Sequence, residues 1–237
     1  MTSIIRPPIL VHITPDGICR KPSADLEQYC KLVDAAVKAG VNVVQVRDKK
    51  SGNASRAHLA STLQRHIEGR ALLMINSDCE AALASDATGV HFPEAVDASD
   101  ALMSLSSRGV NPLLIGRSAH SIEAAVQFCD QVDYLQIGTM FPSQTHPEKT
   151  QVEGLELMKL MRAHFSASVG PSPWLIGVGG IEAYNAGEVV HAGADGVAVI
   201  RAISGASSER EAASVVSTMK EEMAEALNAR AVERLDY

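Results

Sequence analysis

The 237 residues include only four cysteines, Cys19, Cys30, Cys79 and Cys129, and no two of them stand in a Cys-x-x-Cys spacing. That excludes a zinc ribbon and a disulfide framework, and the four read as buried or half-buried thiols. Long apolar runs are also missing: no window supplies the roughly 18 consecutive apolar residues of a membrane span. The first residues, Met1-Thr-Ser-Ile-Ile-Arg-Pro-Pro, lack the apolar stretch of a signal peptide, so a cytoplasmic or organellar location is expected. Positive charge is in deficit, with 21 Lys and Arg against 28 Asp and Glu. No basic stripe stands out, which argues against nucleic acid as a partner. Linkers and low-complexity tracts are absent too, so residues 1–237 are expected to form one domain.

What is present is a regular alternation of apolar β-branched runs and amphipathic segments. Strands are predicted at Ile9–Thr14, Val41–Arg47, Ala71–Ile75, Gly89–Phe92, Pro112–Ser118, Val132–Gly138, Trp174–Val178 and Gly196–Ile200. Helices are predicted from Ser23, a possible N-cap, to a stop at Gly40, then at Ala54–Ile67, Cys79–Ala84, near Ser99–Ser107, Ser121–Cys129, Leu155–Phe165, Tyr184–Ala192 and Glu209–Ala229. Eight strand and helix pairs favour a closed parallel α/β arrangement, a (β/α)8 TIM barrel.

In such a barrel the chemistry sits where strands end. Alternation puts Gln45, Arg47 and Lys49 on one face if the second strand extends through Lys49. Asn76, His91, Ser118 and His120 lie at the ends of strands three to five, and a long loop from Thr139 to about Gln151 carries Thr145 and His146. The last two strands run into Gly-Val-Gly-Gly and then Arg-Ala-Ile-Ser. Backbone N–H groups of Gly179, Gly180, Ala202 and Ile203 could there form a phosphate cup, with Arg201 assisting. A small phosphorylated molecule is therefore the first candidate ligand. His12 reads as structural, and Asp195 as a turn former before Gly196.

These residues resemble the thiamine phosphate synthase and TenI superfamily along nearly the whole chain. The resemblance is carried by Gln45-Val-Arg-Asp-Lys49, Ile75-Asn-Ser-Asp-Cys-Glu-Ala-Ala-Leu83, Gly89-Val-His-Phe-Pro93, Ile115-Gly-Arg-Ser-Ala-His-Ser121, Val132-Asp-Tyr-Leu-Gln-Ile-Gly-Thr-Met-Phe-Pro142, Gly177-Val-Gly-Gly-Ile181 and Gly193-Ala-Asp-Gly-Val-Ala-Val199. In the synthase branch it implies two aspartates holding magnesium beside a diphosphate, and a lysine after strand six. Here those positions are Ser77, Val96 and His146. Asp78 would face away from the site on an extended segment.

The same departures resemble the TenI branch, in which Phe92-Pro93 and Gly116 to Ser121 have counterparts. That resemblance implies a thiazole tautomerase acting on a dihydrothiazole carboxylate phosphate, with His120 as the catalytic acid and base, no metal and no cofactor. Gln45, Arg47, Lys49, Asn76, His91, Ser118, Thr145 and His146 would bind the substrate. The alternatives are a diverged synthase, which would use magnesium, and a binding protein that kept only the phosphate cup. No membrane partner is expected, and a homo-oligomer stays open.

Overall fold

The computed structural model describes residues 5–99, 101, 103, 107, 114–143, 152–168 and 172–233. Eight strands, β1 (Ile9–Ile13), β2 (Val43–Val46), β3 (Leu72–Asn76), β4 (Gly89–Phe92), β5 (Leu114–Ala119), β6 (Tyr134–Gly138), β7 (Trp174–Val178) and β8 (Gly196–Val199), form a closed barrel in sequence order. Every neighbouring pair is parallel, and β8 returns to β1 with Ile9 opposite Gly196 and His12 opposite Val199. The (β/α)8 expectation holds.

Because side chains alternate across each strand, the barrel has two separate apolar regions. Ile9, Val11, Ile13, Val43, Met74, Ile176 and Ala198 pack together inside the lumen. Leu10, Val44, Leu73, Ile75, Leu135, Leu175 and Val197 point outward into the larger core under the helices. His12 belongs to that outer layer: it is fully buried and its Nε2 lies 2.8 Å from the Tyr29 hydroxyl.

The helices are α1 (Ser23–Ala39), α2 (Asn53–Ile67), α3 (Cys79–Ala84), α4 (Ile122–Phe128), α5 (Gly154–Ala167), α6 (Ala186–His191), α7 (Arg201–Ser204) and α8 (Glu209–Glu233). In α1, Leu26, Tyr29, Cys30, Leu32, Val33, Ala36 and Val37 are the buried face, and a fully buried Leu contributes about 1.5–3 kcal/mol. Ser23 is the first helical residue rather than the cap. Pro22, extended at φ −52° and ψ 151°, precedes it, and no side chain caps the turn. Gly40 ends the helix as expected, at φ 130°. Ser121 and Asp78 do cap, accepting from the N–H groups of Ala124 and Ala81. Most of the helix expected near 99–107 and the start of the fifth predicted strand lie outside the described residues.

Helix α8 packs in the outer ring against α1 and α6. Lys220 Nζ donates to the carbonyl of Pro8 at 2.5 Å and to Asn42 Oδ1 at 3.1 Å, and Asn42 Oδ1 also accepts from Leu10 N. This ties the last helix to the first strand.

One lumen position tolerates no side chain. A Cβ on Gly116 would sit 2.0 Å from Tyr134 Cζ, since the tyrosine ring crosses the lumen at that height. Gly116→Ala is expected to destabilise the fold by about 1–3 kcal/mol through overpacking. Urea denaturation of Gly116→Ala, Tyr134→Leu and the double variant measures it. The double variant should be more stable than the sum of the two losses implies, because the smaller side chain removes the clash.

Candidate active site

At the C-terminal ends of the strands lies a cavity of about 450 Å³. Gln45, Arg47, Lys49, Asn76, His91, Ser118, His120, Gly179 and Gly180, all expected at the site, line it together. Thr145 and His146 lie outside the described residues. Ala202 and Ile203 do not line the cavity; Ile203 is buried in the core, while Ile200 and Arg201 face the cavity instead. Glu94, Gln136, Thr139, Ser143 and Tyr184 line it without having been anticipated.

The cationic wall comes from the end of β2. Its ladder stops at Val46 rather than continuing through Lys49, because the following backbone is taken up by side chains of the β1 exit. Thr14 Oγ1 donates to the Arg47 carbonyl and accepts from the Arg47 N–H, both at 2.8 Å. Asp16 accepts from Arg47 Nη1 at 3.1 Å and from the Lys49 N–H at 2.8 Å. The Arg47 side chain and the Lys49 backbone are thus positioned by hydrogen bonds to the loop after β1 rather than by sheet geometry. Asp48 between them turns inward and is buried, accepting from the N–H groups of Gly17, Cys19 and Lys50 and from Ser51 Oγ. Burial alone would raise its pKa; the backbone donors outweigh that and bring it to about 2.

The floor is neutral and polar. His91 is buried, with Nδ1 3.2 Å from the Tyr134 hydroxyl and Nε2 3.0 Å from Ser118 Oγ. Burial, and then the cations Arg117 and Arg47, push its pKa down to about 3, so it stays neutral near pH 7. Beside it Gln136 donates to Gln45 Oε1 at 2.7 Å, and Gln45 donates to Asn76 Oδ1 at 3.2 Å.

On the far wall His120 is half-exposed. Its N–H donates to Glu94 Oε2 at 2.6 Å, and its Nδ1 is bonded to the Gly138 carbonyl. A carbonyl only accepts, so Nδ1 carries the proton and the neutral ring keeps a lone pair on Nε2. Above it, Gly179 and Gly180 take φ 101° and 64° at the end of β7. A Cβ on Gly180 would come within 2.5 Å of the carbonyl oxygens of Phe141 and Pro142, so a bulky residue there would displace the loop after β6 as well as the cup. Arg201 joins the two exits by donating to Glu182 Oε1 at 3.1 Å.

The two positions that the resemblance assigned to magnesium, Ser77 and Val96, offer the ion no carboxylate. Magnesium takes oxygen ligands including one or two carboxylates. Ser77 takes φ 60° and its Oγ accepts from Asn76 Nδ2, and the Val96 side chain is apolar with its carbonyl taken by Arg117. Asp78 is committed elsewhere, capping α3 and pairing with Arg56 at 2.9 Å. Among the described residues no group of three His, Cys, Asp or Glu side chains is placed to hold a metal.

Gln136 could have been found from the sequence. It alternates with Tyr134 and Gly138 along an otherwise apolar strand, and so points inward. Glu94 carried no such signal, because the loop it stands on has no periodicity.

Comparison with known proteins places this site in context. A family model described as thiamine monophosphate synthase matches residues 10–203. A thiamine-phosphate synthase of Chloroflexus aurantiacus is 34% identical over 197 residues, 82% of this chain and 84% of that protein. One from Geobacillus kaustophilus is 33% identical over 202 residues, 83% of this chain and 85% of that protein. The solved structure of thiamine phosphate pyrophosphorylase from Pyrococcus furiosus superposes with a TM-score of 0.73 at 25% identity, covering 92% of this chain and 96% of that one.

These relatives overturn the expectation of a thiazole tautomerase, an isomerase. The proteins this chain resembles over four-fifths of its length are named as synthases, which are transferases. Loss of two carboxylates does not by itself remove the coupling chemistry. Those carboxylates are one source of charge compensation, and Arg47 and Lys49 put fixed cations at the same mouth.

Proposed function

We propose, since the chain belongs to the thiamine monophosphate synthase family, that it couples hydroxymethylpyrimidine diphosphate to thiazole phosphate, giving thiamine phosphate and diphosphate. One observation carries the reading. Two anion-binding regions, the Arg47 and Lys49 wall and the Gly179–Gly180 loop with Arg201, flank one neutral polar floor in a single cavity.

The reaction exchanges one bond for another. The pyrimidine methylene carbon leaves a diphosphate oxygen and bonds to the thiazole nitrogen, with no proton transfer required. The demand is therefore for stabilisation of charge gathering on the departing diphosphate. Arg47, held by Asp16, and Lys49 supply it without reorganisation. The thiazole phosphate sits at the β7 and β8 exits, where Gly179 and Gly180 leave the backbone uncovered by side chains. Gln45, Asn76, His91 and Ser118 meet the rings with neutral donors and acceptors, and Thr145 and His146 belong to the same reading as substrate contacts. His120 lines the wall opposite Arg47 and Lys49, where the lone pair on Nε2 is a hydrogen-bond acceptor for substrate. Ser77 and Val96 carry no carboxylate for magnesium, and Asp78 is committed to α3 and Arg56.

A cytoplasmic setting accompanies this reading, supported by four cysteines that stand as free thiols. Among the described residues no helix is long and apolar enough to cross a membrane.

The test is to incubate the purified protein with both substrates and to quantify thiamine phosphate and diphosphate. Equal amounts of the two products, formed only when both substrates are present, are expected. Absence of thiamine phosphate overturns the reading.

A further inference from the structure

We infer that Gln136 is a specificity-determining positioning residue, which fixes the orientation of the Gln45 carboxamide and thereby the hydrogen-bond pattern that the pyrimidine ring meets. The inference deepens the transferase reading and rests on it. Strands β2 and β6 stand on opposite sides of the eight-stranded barrel. Their glutamines nevertheless touch at 2.7 Å across the lumen, 1% and 3% exposed. This bridge is the floor of the cavity and separates it from the apolar lower lumen of Val11, Val43, Met74 and Ile176.

The bridge is one end of a directional chain. Gln136 Nε2 donates to Gln45 Oε1, Gln45 Nε2 donates to Asn76 Oδ1 at 3.2 Å, and Asn76 Nδ2 donates to Ser77 Oγ at 2.7 Å. A carboxamide has a donor end and an acceptor end, so turning one member over would set N–H against N–H or oxygen against oxygen at its neighbours. Gln45, bonded on one side to Gln136 and on the other to Asn76, therefore cannot turn alone. Gln45 and Asn76 each keep one further N–H and one further lone pair, and both line the cavity. A nitrogen heteroaromatic ring offers a matching edge of acceptors and donors, and a diphosphate group does not. A site built to hydrogen-bond such an edge discriminates strongly, since a mismatched ligand leaves buried polar groups unpaired.

Gln136→Met keeps the length of the side chain and removes the donor, leaving Gln45 Oε1 without its partner. Gln136→Glu keeps the length and reverses the polarity: a carboxylate only accepts, so Gln45 must turn its N–H away from Asn76. Calorimetric titration with hydroxymethylpyrimidine diphosphate and, separately, with inorganic diphosphate reads the consequence. Both variants are expected to bind the pyrimidine diphosphate about 10–100-fold more weakly while binding inorganic diphosphate within about twofold of the natural protein, and KM for the pyrimidine substrate should rise more than kcat falls. If the buried carboxylate prevents Gln136→Glu from folding, the methionine variant decides. Equal weakening toward both ligands, or no weakening toward either, overturns the inference. Selective loss of pyrimidine affinity in a protein that forms no thiamine phosphate would sink the transferase reading and leave the role of Gln136 standing.

Discussion

Replacing Arg47 by Gln is expected to lower kcat/KM for the coupling reaction by about 10²–10³-fold, as loss of a preorganised group facing developing charge does in other enzymes. The side chain is only 11% exposed and is held by Asp16, so its charge is little screened and already in place. Fold stability should change far less, because Arg47 packs at the rim and its backbone contacts with Thr14 persist in the variant. Arg47→Lys should recover part of the loss: it restores the charge but not the planar fork that engages Asp16. Asp16→Asn should fall between the two, since it loosens Arg47 while the N–H of Lys49 can still find an oxygen. Initial rates at saturating thiazole phosphate measure all three. A rate for Arg47→Gln within about threefold of the natural protein would remove Arg47 from the proposed role.

Mild acid should destabilise the protein steeply. His12 and His91 are buried and neutral, with pKa values of about 4 and about 3 in the folded chain, burial being the main cause for both. In the unfolded chain each titrates near 6.5. As pH falls below about 6.5 the unfolded state takes up two protons that the folded state refuses, so stability is full above that pH and drops by up to about 2.7 kcal/mol per unit. From pH 6.5 to 4.5 the loss approaches about 5 kcal/mol, comparable with the whole stability of many domains. Asp48 adds a lower step. Its folded pKa of about 2 lies below the unfolded value, so its contribution is present above about pH 4 and disappears as pH falls toward 2. Urea midpoints measured from pH 7.5 to 4.5 check this. His91→Asn should roughly halve the slope, and a flat profile for the natural protein would contradict the assignment.

The barrel was readable from sequence because its evidence is periodic. Alternation along eight short strands and the apolar stripe of Leu26 to Val37 on α1 each repeat a geometric rule many times. The places where the reading slipped are single events. Ser23 resembled a cap, yet Pro22 already sets the turn. The second strand ended early because Thr14 and Asp16, distant in sequence, claim the backbone of Arg47 and Lys49, and no local pattern reports such a claim. The convergence of Gln45, Arg47, Lys49, Asn76, His91, Ser118 and His120 followed from strand ends alone. Gln136 was legible by alternation but hidden among apolar neighbours. The reaction was least legible: motif departures at Ser77 and Val96 reported what the site had lost, and residues spread over several exits determine what it retains.

The contact between Lys220 and Pro8 spans 212 residues, and the β1 pairing with Gly196 nearly as many. During synthesis Ile9 emerges with both edges of its strand bare and receives one neighbour, β2, some thirty residues later. The other edge must wait for β8, which begins at Gly196. Until β8 is in place β1 has one unpaired edge, and a bare strand edge is the kind of border inclined to pair with another copy. A truncation that removes α8 would leave the seam between first and last strands unclamped, and such a chain should be recovered from cells bound to chaperones or in inclusion bodies.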